Sequence, residues 1–156
     1  MVSYMVHRIE DEALKASIAS DILERLPKWF GIPESTAEYV AVSRTLPFFA
    51  YERDGAWSGF VSLKETSPYT AELYVMGVLE ECHREGIGRQ LFDALYGYAR
   101  EAGYCFLQVK TVQAGRYAEY DRTNLFYQRM GFKELECFPT LWAENSPCQI
   151  YVMDVK

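Results

Sequence analysis

Glu72-Leu-Tyr-Val-Met-Gly-Val-Leu-Glu-Glu-Cys-His-Arg-Glu-Gly86-Ile-Gly88-Arg-Gln-Leu-Phe92 is the most informative stretch of this chain. It reads as a strand, a tight polar turn, and the first turn of a helix. Glycines 86 and 88 open that helix. Backbone N–H groups at a helix start have no intrahelical acceptor, and the helix dipole is positive there. Such a turn binds a pyrophosphate through the backbone, and a Cβ would hold the phosphate oxygens away. His83, Arg84 and Arg89 surround it and add donors or charge. A lone Gly-x-Gly also fits a tight turn that binds nothing. Other nucleotide motifs fit worse: a dinucleotide fingerprint needs a glycine where Leu91 stands, and a P-loop needs Gly-Lys-Ser/Thr.

Working outward, the helix continues through Ile87, Leu91, Ala94, Leu95, Tyr98 and Ala102 and ends at Gly103. Upstream lie three strand-like runs, Phe48 to Arg53, Trp57 to Lys64 and Ala71 to Leu79. Asp54-Gly55 is a hairpin turn between the first two. Before them come a first strand over Met1 to Ile9 and a helix capped by Asp11 that carries Leu14, Ile18, Ile22 and Leu26. A second helix starts at Pro33 and stops at Pro47. Downstream, Tyr104 to Thr111 is a buried strand. Tyr117 to Met130 is a helix closed by Gly131, and Phe132 to Phe138 is a strand. Pro139 to Pro147 reads as an aromatic loop, and Cys148 to Val155 as the last strand. The order β-α-α-β-β-β-α-β-α-β-β predicts a mixed α/β layer of about seven strands and four helices in a single domain over 1–156.

Composition agrees. The chain has 156 residues, 49% hydrophobic and 24% charged, which suits a globular fold with a sizeable core. Its net charge of −6 shows no basic patch and argues against nucleic acid. No apolar run is long enough for a membrane, and the amino terminus shows no leader, so a cytoplasmic location is expected. Cys82, Cys105, Cys137 and Cys148 match no zinc spacing and read as reduced thiols. With two distant histidines, His7 and His83, no metal is expected.

A second informative stretch is Tyr120-Asp-Arg-Thr-Asn-Leu-Phe-Tyr-Gln-Arg-Met-Gly131-Phe132. Tyr127 lies one helical turn before Gly131, where it either faces a cleft at the helix end or packs in the core.

Together the two stretches resemble the GNAT family of N-acetyltransferases. His83-Arg84-Glu85-Gly86-Ile87-Gly88 is similar to that family's Gln/Arg-x-x-Gly-x-Gly/Ala motif, with His83 in place of the usual first residue. Phe126-Tyr127-Gln128-Arg129-Met130-Gly131-Phe132 is similar to its Phe-Tyr-x-x-x-Gly-Phe motif. The element order matches as well, so the likeness covers nearly the whole chain. The Asn that many members carry seven residues before the tyrosine is Tyr120 here, and Asn124 is not in register with it.

The resemblance implies acetyl-CoA as co-substrate and direct transfer to an amine. Pantetheine would pair with the strand backbone at Met76, Val78 and Leu79. The pyrophosphate would sit on His83, Arg84, Glu85, Gly86, Ile87, Gly88 and Arg89, with Tyr120 nearby. An N–H near Val78 or Met76 would polarise the acetyl carbonyl. Tyr127 is the implied acid. Glu72, fourteen residues before Gly86, is the implied base, with Glu80 and Glu81 as alternatives. The acceptor would lie near Trp29, Phe30, Tyr39, Phe138 and Trp142, with Glu144 able to attract an ammonium, although core or loop packing explains these aromatics equally well. A small-molecule amine is the leading acceptor. A peptide N-terminus or lysine, or a non-catalytic acyl-CoA-binding module, are the alternatives. A homodimer is compatible with the likeness.

Overall fold

The structure, a computed structural model, describes residues 6–143 and 145–156. Among the described residues seven strands form one mixed sheet in the order β1-β2-β3-β4-β5-β7-β6, accompanied by four helices. The chain divides into two compact units, Met1–Lys64 with Tyr74–Tyr98, and Glu65–Leu73 with Ala99–Lys156.

In the first unit β1 (Val6–Arg8), β2 (Phe48–Arg53) and β3 (Ala56–Glu65) pair antiparallel. Residues 1–5 of the expected first strand lie outside the described residues. Asp54 and Gly55 both take positive φ, 52° and 79°, the backbone a two-residue hairpin requires. Helix α1 (Glu12–Glu24) starts where Asp11 accepts the Leu14 N–H at 2.8 Å. Its buried face is not quite the one the spacing suggests. Ile18, Ile22 and Leu26 are buried, but Leu14 is exposed and Lys15 is buried in its place. The Lys15 ammonium donates to the Leu46 carbonyl at 2.7 Å, beyond the end of α2 (Pro33–Ser43). The apolar stem therefore packs while the charge finds an acceptor. Helix α3 (Ile87–Glu101) follows β4 (Thr70–Val78). At Gly77 on β4 an added Cβ would meet Ile22, Leu26 and Leu23 at 3.1–3.4 Å, so a glycine is what lets α1 lie close to the sheet.

In the second unit the start of β4 runs parallel to β5 (Phe106–Val112), which pairs antiparallel with β7 (Ser146–Asp154). Helix α4 (Ala118–Met130) lies between β5 and β6 in sequence. Strand β6 (Lys133–Ala143) corrects one expectation: residues 139–143 continue the strand rather than forming a loop. Pro139 is tolerated because β6 is the last strand of the sheet, and its pairing with β7 is irregular between Phe138 and Ala143. All four cysteines are free thiols, and burial pushes the Cys148 thiol up to about 11.

Candidate functional site

The turn between β4 and α3 is built from backbone bonds that leave little choice of shape. Leu79 N–H donates to Ser58 on β3 at 2.9 Å. Its carbonyl accepts from Cys82 at 2.8 Å, closing a 3-10 turn over Glu80–Cys82. Two residues then take left-handed φ, Arg84 at 69° and Gly86 at 79°. For Arg84 this conformation costs about 1–2 kcal/mol. Left-handed residues interleaved with an ordinary one are the backbone pattern from which anion-binding nests are built. The first helical bond runs from Gln90 N–H to Gly86 O at 3.1 Å. The N–H groups of Ile87, Gly88 and Arg89 thus have no acceptor within the helix. A Cβ built on Gly86 would meet nothing within 4 Å. The glycine is therefore required by its φ and by what approaches it, not by internal packing.

The charges suit an anion. The first turn of α3 holds no acidic residue. Glu85 is held by Arg53, whose Nη1 lies 2.6 Å from both carboxylate oxygens and 3.9 Å from Cys82 Sγ. Arg84 and Arg89 are exposed, and Ile87 anchors the helix start in the core. Sequence reasoning missed Arg53, which sits beside the Asp54-Gly55 hairpin and 32 positions from Glu85.

The end of β4 presents a backbone edge. The three β4–β5 pairs end at Glu72 with Gln108, and β4 runs on to Val78. Because Leu79 N–H points to β3, strand alternation directs the groups of Val78 and Met76 to the opposite edge. Leu79 itself has both backbone groups engaged, and the Val78 carbonyl accepts from His83, so of the three expected pairing residues Met76 and the N–H of Val78 form that edge. His83 Nε2 lies 2.8 Å from Val78 O. A carbonyl only accepts, so this nitrogen carries the proton. Tyr74, two residues before Met76, meets Tyr39, and Tyr39 meets Phe30, at ring separations of 5.3 and 5.9 Å. Lys64 Nζ lies 5.2 Å from the Tyr74 ring centre. Tyr74 is the member of this cluster that the sequence did not single out, although it shares a strand face with Met76 and Val78. Trp29 is placed differently, edge-on to His83 at 5.6 Å.

The Phe-Tyr-x-x-x-Gly-Phe motif has a structural account in the second unit. Gly131 takes φ 109° and ends α4. Phe132 N–H donates to Tyr127 O and Gly131 N–H to Gln128 O, each at 3.1 Å, a Schellman closure. Phe132 then packs edge-on against the Tyr127 ring at 5.8 Å. Tyr127 is 7% exposed and also meets Tyr151.

Asn124 is occupied. Its amide donates to Val112 O at 2.9 Å and Tyr120 O at 2.7 Å, and its Oδ1 accepts from the Tyr151 hydroxyl at 2.6 Å. Gln128 completes the chain by donating to Tyr151, whose hydroxyl burial pushes to higher pKa. The network ties α4 to the end of β5. Asn124→Ala removes both ends of it and strands buried partners, at about 1–3 kcal/mol each. Urea unfolding is expected to show a loss of about 2–4 kcal/mol.

Glu72 is buried, with Oε1 3.5 Å from Lys110 Nζ. Glu80 and Glu81 are exposed and paired with Lys28 at 3.0 Å and Arg25 at 3.5 Å. Trp142 and Phe138 are exposed on β6, and Glu144 lies outside the described residues. Among the described residues no group of three or more His, Cys, Asp or Glu side chains is arranged for a metal, and no helix is long and apolar enough to cross a membrane.

The turn at the start of α3 follows the end of β4 directly and offers the backbone N–H donors that an anion site requires. The chain belongs to the GNAT acetyltransferase family: residues 44–134 match the acetyltransferase (GNAT) domain. Over 104 residues, 65% of this chain, it is 30% identical to an uncharacterized N-acetyltransferase of Chlorobaculum tepidum, and it spans 61% of that protein's length. Two solved structures share the fold. A GNAT-family protein from Desulfovibrio desulfuricans has a TM-score of 0.81 at 20% identity, with 97% of this chain and 98% of that one covered. An aminoglycoside 6'-N-acetyltransferase complexed with coenzyme A has a TM-score of 0.78 at 16% identity, covering 100% and 98%.

Proposed function

We propose that this protein is a cytoplasmic N-acetyltransferase that moves the acetyl group of acetyl-CoA directly to a primary amine, that of a small molecule. The turn at residues 83–89, with left-handed Arg84 and Gly86 and no acid in the first turn of α3, carries the reading. It supplies backbone donors and positive charge for a pyrophosphate. The edge of β4 at Met76 and Val78 pairs with the pantetheine amides, and an N–H from it donates to the acetyl oxygen as negative charge develops there. The amine nitrogen bonds to the acetyl carbon and the carbon–sulfur bond breaks. Tyr127 gives its proton to the departing thiolate, acting through its hydroxyl as the general acid. Glu72 receives the proton lost by the amine, directly or through water, and its pairing with Lys110 fixes the carboxylate in place. Phe30, Tyr39 and Tyr74 offer aromatic faces for a cationic acceptor.

Calorimetric titration with acetyl-CoA tests the binding half of this reading. Thiol release across polyamines, aminoglycosides, amino acids and short peptides tests the rest. The expected result is micromolar binding and amine-dependent release of CoA with a small amine. Release with peptides alone moves the acceptor class to polypeptides. Absence of binding refutes the assignment of the turn.

A further inference from the structure

We infer that the segment joining α1 to α2 braces the coenzyme turn, and that Trp29 is a positioning residue acting through His83 rather than a contact for the amine. The inference rests on the reading of that turn as the seat of the CoA phosphates.

Three side chains of one short segment meet three residues of the turn. Arg25 Nη2 lies 3.5 Å from Glu81, Lys28 Nζ lies 3.0 Å from Glu80, and the Trp29 ring stands edge-on to His83 at 70°. The segment is itself anchored. Trp29 and Phe30 both donate their N–H groups to Leu26 O, at 3.1 and 2.9 Å, and Leu26 is buried. His83 is thereby fixed from two sides, its plane by Trp29 and its Nε2 by Val78 O.

This matters because the next residue, Arg84, is held at φ 69°, a conformation an L-residue leaves when allowed to. Arg53 grips the same turn through Glu85. With both holds in place the nest is already formed before an anion arrives, so binding does not have to order it. The two exposed ion pairs contribute little alone. The aromatic contact is the larger part, in the range that moves a dissociation constant about 3- to 10-fold.

The test is a double-mutant cycle on acetyl-CoA affinity, with the KM for the amine and the thermal midpoint measured alongside. Trp29→Ala is expected to weaken acetyl-CoA about 3- to 10-fold and His83→Ala at least as much. The double variant is expected to bind no worse than His83→Ala alone, and the amine KM to stay unchanged. If removing Trp29 costs stability, Trp29→Phe keeps an aromatic ring at the position that meets His83: it is expected to hold acetyl-CoA affinity closer to wild type than Trp29→Ala does, and an equal loss in both variants with the fold intact overturns the aromatic contact. Independent losses at Trp29 and His83, or a higher amine KM with acetyl-CoA affinity intact, overturn the brace. A wild-type protein that does not bind acetyl-CoA overturns the reading of the turn instead, and the brace with it.

Discussion

Gly86→Val is expected to weaken acetyl-CoA binding about 100-fold while the protein stays folded. Two effects add. A β-branched residue resists φ 79°, a conformation that costs an ordinary L-residue about 1–2 kcal/mol. If the turn relaxes instead, the nest opens, and a hydrogen bond to a charged oxygen contributes about 1.5–3 kcal/mol. A combined loss near 3 kcal/mol corresponds to about 100-fold in affinity. The fold survives because a Cβ at Gly86 meets nothing within 4 Å. Calorimetry gives the affinity, and circular dichroism with a thermal scan gives the fold. Unchanged affinity in a folded variant removes the pyrophosphate from this turn.

Tyr127→Phe separates chemistry from binding. The ring stays, so its packing on Phe132 and Tyr151 and the closure at Gly131 are kept. Only the hydroxyl is lost. As the acid for the leaving thiolate, Tyr127 is expected to account for about 10²–10⁴-fold in kcat, with acetyl-CoA affinity within about twofold of wild type. Stopped-time assays of thiol release under saturating acetyl-CoA measure the first, and calorimetry the second. A variant with full kcat assigns the proton to another donor and leaves Tyr127 as the aromatic anchor of α4.

Much of this was legible along the chain because the signals are local. Asp11, Asp54-Gly55, Gly103 and Gly131 each end or start an element through the conformation or hydrogen bond of one or two residues, and each does so in the structure. Periodicity set the buried face of α1 but misjudged its edge. Whether position 14 or 15 turns inward depends on an acceptor for the Lys15 ammonium, which Leu46 supplies from 31 residues away. Residues 139–143 read as a loop because proline and aromatics break the usual strand pattern. Their position on the last strand of the sheet, where N–H groups of one edge need no protein partner, removes the objection.

The functional site divides along the same line. The amino-acid sequence by itself determined the family, the element order and the glycine turn that opens α3, because a left-handed glycine at a helix start and a glycine closing a tyrosine-bearing helix are short-range requirements. Tertiary structure alone decided what holds those pieces. Arg53 on Glu85, Trp29 on His83, and the chain from Val112 through Asn124 to Tyr151 join residues far apart in sequence. No spacing encodes such pairs, since they exist only once the sheet has brought their strands and helices together.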